Sequence, residues 1–251
     1  MENFTTDAIN IKTYPLSEHD NIVLMFSREG LIKCVAKGVK KPKSKLGARM
    51  QLLVANKLLL HKGKNMDTIC QAQAINTFNK LRYDFDKLTY GMYIGELVSV
   101  FARENSNSEK IYDIFYKALE NISEANSKEQ ILLNVLKFQL KFMQVLGYGM
   151  ELKKCIACGH EVDQDALLSI DEGGILCKDC SHKYINKISV PKKIREFLIE
   201  LSKREIDEET KYDSLVNEKV CTTCFNLLKR YIGKRTNLPI KTAKVLEEQF
   251  V

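Results

Sequence analysis

The first eighty residues show the short apolar and alternating segments that are typical of β-strands. Residues 8–14 alternate small or apolar side chains with polar ones, as in a half-buried strand. Gly30 and Gly63 allow tight turns between later segments. The predicted strands are Ala8–Tyr14, Ile22–Phe26, Leu31–Ala36, Met50–Leu60 and Met66–Phe78. Five short strands without a helical pattern between them predict a small barrel, most simply of the OB type, although an SH3-like barrel fits the same pattern.

From Leu81 onward the apolar positions follow the period of a helix. The residues from Ile111 to Leu119 form one apolar helical face. A later segment is apolar nearly all round and is expected to be a central, buried helix that ends at Gly147 and Gly149. The predicted helices comprise Met92–Phe101, one around Ile111–Leu119, Ile131–Leu146, one that opens at Pro191, and Tyr212–Ile232, which Gly233 ends. The expected fold class is therefore α+β, with an OB-type barrel domain at 1–80 and a helical domain at 81–251.

The composition is that of a globular protein without a membrane span. Of 251 residues, 45% are hydrophobic and 28% charged, and no run of about eighteen apolar residues occurs. The N-terminus lacks the basic start and apolar core of a secretory signal. A cytoplasmic location is expected, and there eight cysteines are interpreted as metal ligands or buried side chains rather than disulfides.

Two Cys-x-x-Cys pairs give the strongest signal in the chain. Eighteen residues separate Cys155 and Cys158 from Cys177 and Cys180, which fits the spacing of a four-thiolate zinc site. Four protein ligands leave no open position for water, so one structural Zn²⁺ per chain is expected, within an insert at about 152–185. Between the first and last of these cysteines lie six acidic residues and a single lysine, which disfavours phosphate binding there.

The remaining cysteines and histidines have simpler interpretations. His160 and His182 are expected to be exposed residues beside the zinc pairs rather than ligands. Cys221 and Cys224 are one helical turn apart and are expected in the core, a second metal site or redox pair being the alternative. Cys34 and Cys70 lie in strand patterns and are most simply core residues as well.

The charge of +7 is concentrated between residues 31 and 66, where ten Lys or Arg and no Asp or Glu occur. The densest part lies in a predicted loop, from which basic side chains can reach a phosphate backbone. The predicted DNA-binding residues are Lys37, Lys40, Lys41, Lys43, Lys45 and Arg49. A solvated lysine face is the alternative. Tyr14 and Phe26 are candidates for base stacking unless they are core residues, and a second basic cluster at Leu228–Arg235 suits either DNA or a helix C-terminus.

Ordered segments along nearly the whole chain resemble the RecO family of bacterial DNA repair proteins. These segments are AKGVKKPKSKL at Ala36–Leu46, LGYGMELKKCIACG at Leu146–Gly159, GGILCKDC at Gly173–Cys180, and a GKR segment at Gly233–Arg235. A basic-Ser-basic run that the family tends to carry near the C-terminus is replaced by Pro-Ile-Lys-Thr-Ala-Lys at 239–244, so no contact is carried over there.

The resemblance implies an N-terminal OB-fold, a helical domain with a zinc insert, and the role of a recombination mediator. Such proteins bind single- and double-stranded DNA, anneal complementary strands and act with RecR to load RecA onto DNA coated by single-strand-binding protein, whose C-terminal tail they dock. The resemblance also implies a bacterial protein associated with the nucleoid, and no enzymatic activity is expected. The alternatives are a zinc-stabilised adaptor that binds only proteins, and a zinc-dependent nuclease or hydrolase, for which the chain has neither a His-rich cluster nor an H-E-x-x-H motif.

Overall fold

Five strands at the N-terminus form a barrel in the computed structural model, which describes residues 2–102, 107–206, 208 and 217–248. The strands are β1 (Asn3–Pro15), β2 (Asn21–Ser27), β3 (Gly30–Ala36), β4 (Ala55–His61) and β5 (Asp67–Asn76). They pair in the cyclic order β1-β2-β3-β5-β4. All neighbours are antiparallel except β3 and β5, which join through a short parallel stretch of two residue pairs. The predicted OB-type barrel is thereby confirmed.

Three strand ends differ from the prediction by two residues or more, and one cysteine also departs from it. The first strand begins at Asn3, five residues before the predicted Ala8. The fourth strand begins at Ala55 rather than Met50, because the chain turns at Leu53, which has a φ of 60°. The fifth strand ends at Asn76 rather than at Phe78. Phe78 has a φ of 43° and is the N-cap of a 3₁₀-helix at Asn79–Tyr83. Cys70 is exposed rather than in the core, since its neighbour Ile69 takes the inward position of β5.

Three of the helices begin directly after a residue whose side chain caps them. The helices are α1 (Phe85–Phe101), α2 (Ser108–Glu124), α3 (Lys128–Val145), α4 (Lys178–Ser181), α5 (Lys192–Lys203), α6 (Glu218–Gly233) and α7 (Lys241–Glu248). The first starts seven residues before the predicted Met92, because the Asp84 side chain accepts a hydrogen bond from the backbone N–H of Lys87. The third buries residues on most of its surface, as predicted, and Gly147, with a φ of 81°, follows its end.

The predicted helix Tyr212–Ile232 included Asn217, which was wrong because α6 begins one residue later, at Glu218. Asn217 is the N-cap of α6, its side chain accepting a hydrogen bond from the backbone N–H of Val220. The predicted residues 212–216 lie outside the described residues. Within the described part of the chain, none of the helices has the length and apolar character required to cross a membrane.

The chain divides into two compact units. The first contains the residues up to Glu124 together with the segment from Lys244 onward, and the second contains Ala125–Ala243. The barrel, α1 and α2 thus belong to one unit, while the second is built around α3, which packs against α5 and α6. It also holds a three-stranded sheet in the order β7-β6-β8, made of β6 (Ala166–Ser169), β7 (Gly174–Leu176) and β8 (Lys187–Val190). The division into domains at residue 80 stays a prediction.

Candidate metal centre and nucleic-acid interface

The four cysteines of the two pairs come together at one point of the second unit. The Sγ atoms of Cys155, Cys158, Cys177 and Cys180 all lie within 4.8 Å of one another, and those of Cys158 and Cys177 are 4.0 Å apart. A tetrahedral ion with Zn–S bonds of roughly 2.3 Å places sulfurs about 3.8 Å apart. The donor set and its spacing therefore fit a four-coordinate metal ion.

The local backbone explains why these cysteines meet. Gly159, with a φ of 76°, donates its backbone N–H to the carbonyl of Cys155 at 2.8 Å and closes the first turn. The backbone N–H of Ile156 then donates to the carbonyl of Ile175 at 3.0 Å, which aligns the first pair with the strand that leads to the second. The second pair flanks the start of α4, a single turn of helix that begins at Lys178.

The thiols of the cluster do not ionise alike. Burial acts to raise the pKa of Cys155, but backbone N–H groups of Cys177, Ala157 and Cys158 point at its sulfur and lower the pKa to about 6. A hydrogen bond with Cys177, together with burial, raises the pKa of Cys180 to about 12. Four thiolates in such a small space require a cation to offset their mutual repulsion.

Beside the four cysteines, the two histidines are exposed and acidic residues of the insert form ion pairs within the second unit. His160 and His182 are exposed, and the ligand group found among the described residues contains neither of them. Two of the acidic residues of the insert are paired with lysines, Asp163 with Lys192 at 2.8 Å and Asp171 with Lys234 at 3.3 Å. The acidic charge of the insert thus contributes to internal ion pairs.

The other two closely spaced cysteines, Cys221 and Cys224, lie in the core, as predicted. Cys221 and Cys224 are fully buried on α6, and burial raises the pKa of each to about 12. Neither belongs to the four-cysteine group. Neutral, buried thiols of this kind pack as small apolar side chains.

The basic segment connects β3 with β4 on the surface of the barrel. Its five lysines, at positions 37, 40, 41, 43 and 45, are exposed, and Arg49 is partly buried. The segment consists of turns, closed by hydrogen bonds such as those from the backbone N–H of Lys41 to the carbonyl of Gly38 and from Ser44 to Lys41. Here we call residues 37–49 the basic loop. The structure brings the six predicted DNA-binding residues onto one connection.

The basic loop is fixed to the barrel at both ends. Val39 and Met50, which are 7% and 4% exposed, point into the barrel core. Near the start, Gly38 donates its backbone N–H to the Asp20 carboxylate at 2.7 Å, which lowers the pKa of Asp20. Near the end, the buried Asn10 side chain donates to the carbonyls of Met50 and Gln51. The lysines therefore project from a held backbone.

Sequence reasoning missed these anchors. Asn10 and Asn56 are both fully buried, and the Asn56 side chain donates to the Arg49 carbonyl at 2.8 Å. The only sequence signal was a polar residue at an inward strand position, in each case an asparagine, which is rarely buried without partners. The chain turns before β4, so the carbonyl groups there lie outside the hydrogen-bond ladder of the sheet. The two asparagine side chains donate hydrogen bonds to these carbonyls.

The second basic cluster is largely engaged within its own unit. The Arg235 guanidinium lies 3.6 Å from the ring centroid of Tyr231 and donates to the carbonyl of Ile170 at 2.5 Å. Lys229 lies over the ring of Phe225 at 5.8 Å. The contacts of Arg235 explain its place in the GKR segment by packing between α6 and the insert.

Comparisons with known proteins match both parts of the chain to one family. A family model described as "Recombination protein O N terminal" matches residues 1–78, and one described as "Recombination protein O C terminal" matches residues 82–244. A DNA repair protein RecO from Desulforamulus reducens is 31% identical over 253 residues, which cover 100% of this chain and 96% of that protein. Another from Clostridium novyi is 31% identical over 187 residues, 74% of this chain and 72% of that protein. The chain belongs to the RecO family of DNA repair proteins.

Proposed function

We propose that the protein is a non-enzymatic recombination mediator that binds DNA through the basic loop. The observation that carries this proposal is the group of five exposed lysines on a connection whose backbone is held by the barrel. Lysines bind phosphates as point charges, so binding to single- and double-stranded DNA is expected, with little dependence on sequence. Membership of the RecO family supports a role in DNA repair and recombination.

Annealing of complementary strands follows from the same chemistry. Two strands repel each other through their phosphates, and a surface of fixed lysines lowers that repulsion while releasing counterions. By the family resemblance, the protein acts with RecR to load RecA onto DNA that single-strand-binding protein coats, and it docks the C-terminal tail of that coating protein. This work takes place in the cytoplasm, at the nucleoid.

The four-cysteine cluster is proposed to hold one structural Zn²⁺. Thiolate ligands and a sulfur spacing of about 4 Å suit zinc. With four protein ligands there is no position for a catalytic water, and the ion braces the insert instead. A zinc-dependent nuclease is disfavoured on this ground.

The test of DNA binding reverses charge at the centre of the basic loop. Lys40, Lys41 and Lys43→Glu together are expected to abolish mobility shifts of single- and double-stranded oligonucleotides, with zinc content and thermal unfolding unchanged. A matched control makes the same charge change on exposed lysines of the second unit, with Lys183, Lys193 and Lys219→Glu. Binding that survives in the first variant, or is lost equally in the second, contradicts the assignment.

A strand-annealing assay separates the mediator from an adaptor that binds only proteins. The wild-type protein is expected to accelerate annealing of complementary oligonucleotides, both bare and coated by single-strand-binding protein, and to do so less at higher salt. Addition of RecR and RecA to the coated strand then tests loading. A protein that binds RecR but neither binds nor anneals DNA would be an adaptor.

A further inference from the structure

The outer face of β1, β2 and β3 carries two rows of side chains beside the basic loop. The first row is Tyr14, Ile22 and Val35, which are directly opposite one another in the strand register. The second row, one alternation farther along, is Lys12, Leu24 and Lys33. Because residues directly opposite each other in a sheet project to the same side, each row forms a continuous strip. The residues between the rows, among them Val23 and Cys34, point into the core instead.

This strip combines aromatic, apolar and cationic groups. Tyr14 is 39% exposed, and the Lys12 ammonium lies 5.5 Å from its ring centroid. Lys12 and Lys33 are exposed, whereas the three aliphatic side chains of the strip, Ile22, Leu24 and Val35, are partly buried. The six side chains include no carboxylate. A face with an open aromatic ring beside one cation, and with a second cation two strands away, is suited to a base and its flanking phosphates.

The strip is continuous with the basic loop. The last residue of β3, Ala36, immediately precedes Lys37, the first residue of the loop. The β1–β2 turn that follows Tyr14 also contacts the loop, since Lys40 donates its backbone N–H to the carbonyl of His19 at 3.1 Å and its ammonium to the carbonyl of Ser17 at 2.8 Å. A strand held by the loop lysines therefore has a short path onto the strip.

The opposite end of this face is closed. Phe26, which follows the same outward alternation of β2, is fully buried, and α2 packs against β2 within the first unit. The open part thus spans the two rows, roughly 7 Å along the strands. That length offers space for one or two nucleotides rather than a duplex.

We propose that this strip binds unstacked bases of single-stranded DNA, with Tyr14 stacking on a base and Lys12 and Lys33 contacting the flanking phosphates. The inference rests on the proposed DNA-binding function and adds to it a means of favouring single strands. The bases of a duplex are stacked on each other and are not available to the ring, whereas every unpaired base has a face that the ring can contact.

Substitution of Tyr14 tests the stacking. Tyr14→Ala is expected to weaken binding to an oligothymidylate by about 5- to 150-fold, while binding to a duplex of equal length changes by less than about twofold. Tyr14→Phe keeps the ring and should restore the affinity. The control is Tyr83→Ala, which removes a 90% exposed tyrosine of the same unit that is not part of the strip.

A fluorescence measurement locates the contact independently. The chain contains no tryptophan, so Tyr14→Trp introduces a single probe whose emission oligothymidylate should quench and duplex should not. Tyr83→Trp should respond to neither.

The outcomes separate this inference from the proposed function. If wild-type protein binds no DNA, both fail. If the basic-loop variant loses binding while Tyr14→Ala binds oligothymidylate like the wild type, or loses single and double strands equally, only the stacking strip is refuted.

Discussion

If the basic loop binds DNA as we propose, it should determine the salt dependence of that binding most directly. Six cations lie on the loop, five of them exposed. If each neutralises one phosphate, log K for duplex DNA should fall against log[salt] with a slope of about −0.9 × 6, or about −5.4. Between 50 and 200 mM salt this slope corresponds to a loss of affinity of about 2,000-fold.

Neutral substitutions measure the share of individual lysines without introducing repulsion. Lys40, Lys41 and Lys43→Ala should bring the slope to about −2.7 and the loss over the same salt range to about 40-fold. Fluorescence anisotropy of a labelled duplex at five or six salt concentrations gives both slopes. The matched control is Lys183, Lys193 and Lys219→Ala, which should leave the slope at its wild-type value. A wild-type slope shallower than about −2, or equal slopes for the wild type and the loop variant, would refute the view that these lysines hold the phosphates.

Three further predictions concern the metal and the packing. Lowering the pH from 7.5 to 5 should release the metal, measured by a chromogenic chelator, because protons compete with the metal for the cysteine thiolates. In the metal-free cluster even Cys155, whose pKa is lowered to about 6, is mostly protonated at pH 5. Duplex affinity, measured at pH 7.5 before and after chelation, should change by less than about twofold. Arg235→Ala should lower the free energy of unfolding in urea by about 1–3 kcal/mol, since stacking on Tyr231 and the bond to the Ile170 carbonyl are lost, with an effect larger than that of Lys229→Ala. Asn10→Ala should cost about 2–4 kcal/mol because it leaves two carbonyls without their donor, and proteolysis within the basic loop should become faster.

The pattern of apolar and polar residues predicted the strands of the barrel and the buried helix well, but the ends of these elements less well. The strand segments and the buried helix were found because alternation and helical period report which side chains are inward. The fourth strand was placed five residues early, since Met50 and Leu53 reach the core from turns rather than from a strand. Hydrophobicity shows that such residues are buried but does not show in which backbone conformation.

The candidate metal centre and the proposed DNA surface differ in how much of each could be predicted. All the ligands of the metal centre come from two local motifs, so their spacing alone implies the site. The lysines of the basic loop are also adjacent in sequence, but the groups that hold the loop come from distant strands. Asn10 is forty residues from Met50, and only the folded barrel brings them together. The same holds for the strip of Tyr14, which requires the register of three strands.

The clearest motif of this chain is therefore not where its proposed function lies. A zinc site needs fixed ligands at bonding distance, which leaves a regular spacing in the sequence. Phosphate binding tolerates many arrangements of lysines, because Coulomb attraction has no strict geometry and extends over about 10 Å at 0.1 M salt. A nucleic-acid surface can thus be specified by composition and by a held backbone, without a motif. For such a surface the informative features are buried polar anchors such as Asn10 and Asn56, because they show that the fold maintains a loop whose exposed residues contribute nothing to the core.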